Sequence, residues 1–233
     1  MLEVSKLCAF YGASQVLRGV SFTVRPGEVV ALLGRNGSGR TTTARALMGL
    51  VRCTGVVSWH GHALTGLAPH DIAHQGVGYV PEHRDVFPGL TVHQNLILGM
   101  KSPACYQRPH WGFDEVYALF PQLKVRANTR AGVLSGGEQQ MLALGRTLMG
   151  NPDLLLIDEP TEGLAPALIE QIGELLVHLR HEGRAVLLIE QKLHLALRVS
   201  DRALMMGQGR VVFDGPPHAL LDGSAVRRDW LEV

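Results

Sequence analysis

Three short segments decide the fold of this chain: Gly34-Arg-Asn-Gly-Ser-Gly-Arg-Thr41, Leu134-Ser-Gly-Gly-Glu-Gln-Gln140 and Leu154-Leu-Leu-Ile-Asp-Glu-Pro160. The first lies between an apolar run and a helix-like segment, and the second opens another helix-like segment. The third is an apolar run that ends in two carboxylates. Their order and spacing together are far more specific than any one of them alone.

The first segment, with the threonine that follows it, is called the phosphate loop. It fits the pattern GxxxxG[K][ST] at every position except the bracketed lysine, where Arg40 stands. The glycines let backbone N–H groups turn towards anionic phosphates, and the following helix adds its positive N-terminal end. We predict that Thr41 places its hydroxyl on Mg²⁺. The alternative is a glycine-rich turn that holds nothing, and the other two segments argue against it. The predicted nucleotide-binding residues of this loop are Gly34, Arg35, Asn36, Gly37, Ser38, Gly39, Arg40, Thr41 and Thr42.

The apolar run at residues 154–157 predicts a buried strand, with Asp158 at its end. A carboxylate there can reach a Mg²⁺ ion held by phosphates, directly or through water. The next residue, Glu159, is placed to polarise an attacking water as a general base. Taken alone, this pattern is also that of an ordinary strand exit.

Residues 134–140, called the signature segment, present a hydroxyl and free backbone donors at the start of a helix. Ser135, Gly136, Gly137 and Glu138 form that start. The positive end of the helix favours an anionic ligand. Ser135 is also a good N-cap residue, and both roles are compatible, because a cap residue can also face a ligand.

Composition bounds the remaining possibilities. The 233 residues suffice for one large α/β domain, and 46% hydrophobic with 18% charged residues is typical of a globular protein. A formal net charge of +1 gives no basis for a nucleic-acid partner. No apolar run approaches the roughly 18 residues that span a bilayer, and the N-terminus does not have the pattern of a signal peptide. Cys8, Cys53 and Cys105 have unrelated spacings and are expected to be free thiols. We expect a soluble, cytoplasmic protein.

The apolar periodicity predicts strands and helices in alternation. Strands are expected at 2–10, 16–24, 28–33, 76–80, 153–157 and 185–189, and helices at 41–50 and 167–180. Residues 91–150 have helical periodicity and no strand signal. The predicted fold is α/β, with a mostly parallel core sheet, an antiparallel N-terminal β region and an inserted helical subdomain. We expect one domain over residues 1–233, with a core lobe at about 1–90 and 151–233 and the helical lobe at about 91–150.

The three segments together resemble the P-loop ATPase subunits of ABC transporters. In that family two ATP-binding subunits pair head to tail, and each ATP lies between the Walker motifs of one and the signature segment of the other. The resemblance implies that Ser135, Gly136, Gly137 and Glu138 contact a nucleotide held by the partner, and that Asp158 and the phosphate loop hold this chain's own ATP. Tyr11 matches the aromatic residue that stacks on adenine; the less favoured alternative is an aromatic residue at a strand edge.

Two further positions depart from the general family pattern. Glu82 stands where the Q-loop glutamine is expected, and Gln191 replaces the switch histidine after a strand. The resemblance implies a metal-site role for Glu82 beside Thr41 and Asp158, and a catalytic role for Gln191 beside Glu159. Phrases such as Val-Pro-Glu, Gly-Leu-Ala-Pro and Ile-Glu-Gln resemble one branch of the family. That branch is the shorter ATP-binding subunit of branched-chain amino acid importers, whose close relatives serve urea and short amides.

The resemblance therefore implies an ATPase that uses ATP and Mg²⁺ to energise the import of branched-chain amino acids or a related small polar nutrient. Its implied partners are a homologous ATP-binding subunit, two membrane permeases and, indirectly, a periplasmic binding protein. It would lie on the inner face of the cell membrane. One alternative is a catalytically weak regulatory subunit, in which Arg40 and Gln191 have removed turnover. Another is a soluble ABC ATPase that acts on nucleic acid or ribosomes, which normally has fused cassettes or a long insertion that this chain does not show.

Overall fold

The apolar runs of the sequence become the central strands of a six-stranded sheet. The computed structural model describes residues 1–101 and 111–221, so Cys105 and residues 222–233 of the predicted domain lie outside the described residues. The strands of this sheet, in chain order, are β3 (Val29–Gly34), β6 (Val77–Val80), β7 (Leu154–Asp158), β8 (Ala185–Ile189), β9 (Arg202–Gly207) and β10 (Arg210–Gly215).

The spatial order of this sheet is β10-β9-β3-β8-β7-β6, and every pairing is parallel except that of β10 with β9. Every residue of β3, β7 and β8 is buried, because helices and a second sheet cover both faces. Parallel strands end at the same edge, so the segments that follow β3, β6, β7 and β8 are brought together there. Ligands of open α/β sheets bind at this edge.

A second sheet of four antiparallel strands covers one face. Its strands are β1 (Leu2–Tyr11), β2 (Ser14–Val24), β4 (Arg52–Trp59) and β5 (His62–Ala63), in the order β2-β1-β4-β5. Helix α1 (Arg40–Leu47) contributes to the core between the two sheets, where Leu47, Trp59 and Leu156 lie in one apolar cluster. The short helix α2 (Pro69–His74) connects β5 to β6. The predicted antiparallel N-terminal region is therefore confirmed.

The helical part of the chain packs against the opposite face. It comprises α3 (Val92–Ile97), α4 (Phe113–Leu119), α5 (Pro121–Val125) and α6 (Gly136–Met149). Helix α6 contacts the other three. Its Leu142 and Leu144 belong to the same apolar cluster as Ile157 of β7 and Leu188 of β8. Helices α7 (Pro166–His181) and α8 (Leu193–Val199) add to this layer.

Among the described residues, no helix is both long and apolar enough to cross a membrane. Cys8 and Cys53 are free thiols, as the sequence predicts. The predicted strand limits agree with the structure to within about two residues. Strands β4, β5, β9 and β10 and helices α2 and α8 are additions that the periodicity of the sequence did not indicate.

Candidate functional site

The phosphate loop adopts backbone conformations that require glycine. Gly34, Gly37 and Gly39 have φ of 151°, 77° and 106°, in the region that L side chains rarely adopt. A Cβ atom on Gly34 would lie 2.6 Å from the carbonyl oxygen of Met206, and one on Gly39 would lie 2.8 Å from Leu17 Cδ2. The spacing of the glycines in the sequence thus follows from close packing at two positions and from backbone conformation at all three.

Helix α1 begins at Arg40, directly after this loop, and its first turn is left open. Its N-cap is Gly39, which has no side chain to accept a hydrogen bond, and the first turn contains no acidic residue. The free N–H groups and the positive helix end therefore face the turn that the loop encloses. Two buried side-chain atoms there, Ser38 Oγ and Arg40 Nη1, have no hydrogen-bond partner in the protein.

Arg40, which stands in the position of the expected lysine, makes a contact that the sequence does not reveal. Its Nη2 donates to Glu159 Oε1 at 2.7 Å and to Asn36 Oδ1 at 3.2 Å. The two ionic side chains are only 5% and 15% exposed, so little solvent screens the pair. The guanidinium thus holds the predicted general base, and its second terminal nitrogen remains for an anion.

Asp158 ends β7 and is fully buried. It accepts hydrogen bonds from Thr41 Oγ1 at 3.3 Å and from Tyr79 Oη at 3.4 Å. Burial raises the pKa of Asp158 to about 6, and the charges of Glu82 and Glu159 act in the same direction. The hydrogen bond from Thr41 and the charge of Arg40 oppose this rise. Burial also raises the pKa of Tyr79 above its ordinary value, with the charge of Asp158 adding to the effect.

A cavity of about 440 Å³, called the strand-end cavity, lies at this edge of the sheet. Arg40, Thr41 and Glu159 line it, whereas the buried Asp158 does not. The cavity walls come from the phosphate loop with α1, from β2 and from the segments that follow β6, β7 and β8. The lining residues are Val16, Asn36, Gly37, Gly39, Arg40, Thr41, Thr42, Glu82, Glu159, Glu162 and Gln191. Glu82, Glu159 and Gln191 were predicted as site residues from three different segments of the sequence, and the fold brings them together around the strand-end cavity.

Three residues of this region were not predicted. Val16 belongs to the apolar pattern of β2, and that pattern does not reveal which residue faces the cavity. Tyr79 donates a hydrogen bond to Asp158, and Glu162, three residues after Glu159 in the chain, also lines the cavity. Tyr11 lies at the end of β1, is 41% exposed and is not among the lining residues. Its proposed stacking on adenine stays a prediction.

The signature segment forms a complete capping box at the start of α6. Ser135 Oγ accepts from the Glu138 N–H at 3.3 Å, and Glu138 Oε2 accepts from the Ser135 N–H at 2.8 Å. Arg126 adds an ion pair to Glu138 at 2.7 Å. Burial alone would raise the pKa of Glu138, but the hydrogen bonds from Ser135 and the charge of Arg126 hold it below its ordinary value.

Gly136 and Gly137 leave room for neighbouring side chains. A Cβ on Gly136 would collide with the guanidinium of Arg84, and one on Gly137 would lie 3.1 Å from Leu168 Cδ2. Ser135 itself is exposed, and the segment is not part of the strand-end cavity lining. The predicted residues therefore form two groups: those in and around the strand-end cavity, and those of the signature segment, which lies outside it.

Comparison with known proteins agrees with this geometry. The ABC transporter family model matches residues 17–162. The branched-chain amino acid transport ATP-binding protein BraG of Pseudomonas aeruginosa is 44% identical, with 99% of each chain covered. LptB of Haemophilus influenzae, a lipopolysaccharide export ATP-binding protein, is 33% identical over 99% of this chain and 97% of its own. LivF of Archaeoglobus fulgidus, a probable branched-chain amino acid transport ATP-binding protein, is 34% identical over 95% and 94%.

A solved structure agrees at the level of the fold. An ATP-binding cassette of an ABC transporter, determined in its ADP conformation, has a TM-score of 0.79 and 26% identity, and the match covers 97% of this chain and 96% of that one. The family model covers more than half of the chain, and three relatives exceed 30% identity over nearly its whole length. This chain therefore belongs to the ABC transporter family, as one of the ATPase subunits that couple ATP hydrolysis to transport.

Proposed function

We propose that this chain binds Mg-ATP in the strand-end cavity and hydrolyses it to energise the import of branched-chain amino acids. The observation that carries the proposal is the convergence of the phosphate loop, Glu82, Glu159 and Gln191 on one cavity at the ends of parallel strands, with Asp158 hydrogen-bonded to Thr41 beside it. The loop contributes N–H donors and a cation, while the strand ends contribute carboxylates. This combination suits a polyphosphate accompanied by a divalent cation.

The residues present fit both parts of that ligand. Ser38 Oγ and Arg40 Nη1 are buried donors without a protein partner, and phosphate oxygens would satisfy them. Thr41, Asp158 and Glu82 offer the hard oxygen ligands that Mg²⁺ prefers. The ion would neutralise charge on the phosphates and orient them. Charge repulsion contributes to the raised pKa of Asp158, and a bound cation would relieve it.

Glu159 is the proposed base. Its backbone has φ of 47°, an uncommon conformation for a residue other than glycine, and its N–H donates to Ile189 O at 2.9 Å. These constraints aim the carboxylate into the cavity, towards the side where Gln191 also lies. A carboxylate there accepts a proton from the attacking water, and Gln191 can orient that water through its amide.

The transported substrate is inferred from relatives. BraG and LivF carry branched-chain amino acid transport in their names, and BraG is the more similar of the two. LptB, an export subunit, is 33% identical, so the ATPase fold alone does not indicate import. Urea and short amides remain the alternative substrates, because Asp158-Glu-Pro-Thr-Glu-Gly resembles that branch.

We also propose a working assembly of two ATP-binding subunits and two membrane permeases on the inner face of the cell membrane, fed by a periplasmic binding protein. The exposed Ser135 and the partly buried Gly137 beside it would complete the nucleotide site of the partner subunit. A groove of about 640 Å³ offers a surface for a permease helix. Its lining includes Phe87, Leu98 and Met100, which are half exposed. In this assembly residues 1–90 with 151–233, and residues 91–150, would act as two lobes.

One observation favours a second candidate, a catalytically weak regulatory subunit. The carboxylate of Glu159, the proposed base, is already paired with the Arg40 guanidinium, and both side chains are largely shielded from water. A base held by a guanidinium is less available to accept a proton. This candidate retains nucleotide binding and loses most turnover at this site.

Reconstitution tests the proposal. The chain, co-expressed with its permeases and partner ATPase in vesicles, should hydrolyse ATP faster when binding protein loaded with leucine or valine is added. Urea or acetamide should give no stimulation. Stimulation by urea alone would assign the alternative substrate, and ATP binding without any turnover at this site would favour the regulatory candidate.

A further inference from the structure

A second buried carboxylate lies beside the predicted base. Glu190 follows β8 directly, is 1% exposed, and its N–H donates to Leu32 O of β3 at 3.2 Å. Burying a carboxyl group is unfavourable unless its oxygens are hydrogen-bonded. Burial raises the pKa of Glu190, and the charge of Glu159 adds to this, against the hydrogen bonds from Thr161 and Lys192.

The two oxygens of Glu190 bind two different segments. Oε1 accepts from Thr161 Oγ1 at 2.6 Å, and Oε2 accepts from the Lys192 N–H at 3.3 Å. Thr161 belongs to the segment 159–165, called the base loop, which also contains Glu159. Lys192 follows Gln191. One carboxylate therefore connects the segment that carries the base to the segment that carries the glutamine.

We infer that Glu190 is a positioning residue that holds the base loop against Gln191, so that Glu159 and Gln191 face the same point of the strand-end cavity. Thr161 is 1% exposed, so its hydroxyl has no access to solvent and its bond to Glu190 restrains the base loop two residues after Glu159. Glu159 is anchored from the other side by its N–H bond to Ile189 O. The inference rests on the proposed role of Glu159.

A purely structural role would make a different demand on Thr161. If this residue only fills space, valine, which has the same shape, should replace it better than serine. If its hydroxyl positions the base loop, serine should replace it better than valine, which leaves Glu190 Oε1 without a donor. The two substitutions thus give opposite rankings under the two readings.

The experiment measures ATP hydrolysis and ATP affinity of the full chain in its assembled transporter. We expect Thr161→Val to lower kcat about tenfold, less than the roughly 100-fold loss that a displacement of about 1 Å produces. KM and the affinity for ATP should change by less than about twofold, because the phosphate loop is untouched. Thr161→Ser should recover most of the lost kcat. Equal kcat for the valine variant and the unmodified chain, or a serine variant slower than the valine variant, would overturn the inference.

Glu190→Gln is a second variant that tests the same hydrogen bond from its other partner, and it keeps the inference testable if Thr161→Val does not fold. Glutamine keeps the volume, but only its single amide oxygen accepts; with that oxygen on the Lys192 backbone N–H, the Thr161 hydroxyl loses its acceptor. We expect a fall in kcat similar to that of Thr161→Val, and a double variant no slower than the slower single variant, because both changes remove the same bond. Additive losses would show that Glu190 and Thr161 act separately and would contradict the proposed link.

Glu159→Gln in the same assay separates the role of Glu190 from the proposed role of Glu159 as the base. If Glu159→Gln leaves hydrolysis unchanged, the assignment of the base fails. If Glu159→Gln loses hydrolysis and Thr161→Val keeps full activity, only the role of Glu190 fails.

Discussion

The phosphate loop and the signature segment are both glycine-containing starts of a helix, yet they satisfy their polar groups in opposite ways. Helix α1 has no side-chain cap and no acidic residue in its first turn, and it leaves Ser38 Oγ and Arg40 Nη1 buried without partners. Helix α6 has a reciprocal capping box and a paired glutamate in its first turn. A helix start whose donors are left free is prepared for an anionic ligand, whereas one that is already capped is stable as an exposed surface.

The comparison predicts that the two regions fail differently when altered. The largest effect is expected from Ser135→Arg, because a long cationic side chain on the outward-facing segment would obstruct contact with the nucleotide of the partner. Hydrolysis by the assembled transporter should fall more than about 100-fold, as for a misplaced reacting group. ATP binding by the isolated chain, measured by calorimetry, should not change. Ser135→Thr, which keeps a capping oxygen, is the matched control, and a loss of binding by the isolated arginine variant would show that the segment serves this chain's own site.

Glu159→Gln alters the enclosed region instead. Glutamine retains the shape but cannot accept the proton of the attacking water, so hydrolysis at this site should slow about 100-fold, as expected for a lost general base. ATP affinity should be kept. The exposed residue Glu174 of α7 offers a control, since Glu174→Gln removes the same charge at a position that does not line the cavity. Turnover that barely changes in the Glu159 variant would favour the regulatory candidate.

Asp158→Asn tests the energetic consequence of enclosure. The pKa of Asp158 is raised from 3.8 to about 6, so this carboxyl binds a proton more readily in the folded than in the unfolded chain. The folded chain therefore loses stability as pH rises from about 4 through about 6. At pH 7 the buried charge lowers the free energy of unfolding by about 3 kcal/mol. Asparagine removes that charge, but its single acceptor loses one hydroxyl partner, which takes back about 1 kcal/mol.

We therefore expect Asp158→Asn to stabilise the nucleotide-free chain by about 2 kcal/mol at pH 7, with the gain disappearing below pH 4. Urea denaturation in the presence of EDTA at both pH values measures it. A destabilised variant at pH 7 would mean that the hydrogen bonds from Thr41 and Tyr79 outweigh the burial of the charge. No such gain is expected for Glu138, whose paired environment lowers its pKa.

Arg40→Lys should give the smallest effect. Lysine lacks the planar fork that binds Glu159 and Asn36, so the base should be released more readily. Because lysine keeps the positive charge, only the hydrogen-bond geometry of the fork is lost; a loss of about 1 kcal/mol corresponds to a rise in turnover of about fivefold, and ATP affinity should not change because both side chains are cationic. Steady-state hydrolysis by the assembled transporter measures this. Unchanged or lower turnover would show that the loop has adjusted to arginine, and absence of ATP binding in the unmodified chain would remove the phosphate-loop assignment itself.

Much of the fold follows from local rules that can be applied to the sequence. The apolar runs predict β3, β7 and β8 because strands buried on both faces contain almost no polar residues. Strand β4 escaped prediction because half of its residues are exposed without regular alternation, and Gly55 interrupts it with φ of 104°. Strand β9 contains Ala203, Leu204 and two methionines, residues with no preference for strands.

The sequence by itself determined the glycine positions of the phosphate loop, the N-cap Ser135 of the signature segment and the two carboxylates at the end of β7, Asp158 and Glu159. Each depends on backbone conformation or hydrogen bonds within a few residues. Only the tertiary structure decided that Arg40 pairs with Glu159, 119 residues away, that Tyr79 reaches Asp158, and that Glu190 holds Thr161. These contacts exist because parallel strands far apart in the chain end at one edge of the sheet, and their side-chain partners depend on packing that no local pattern encodes.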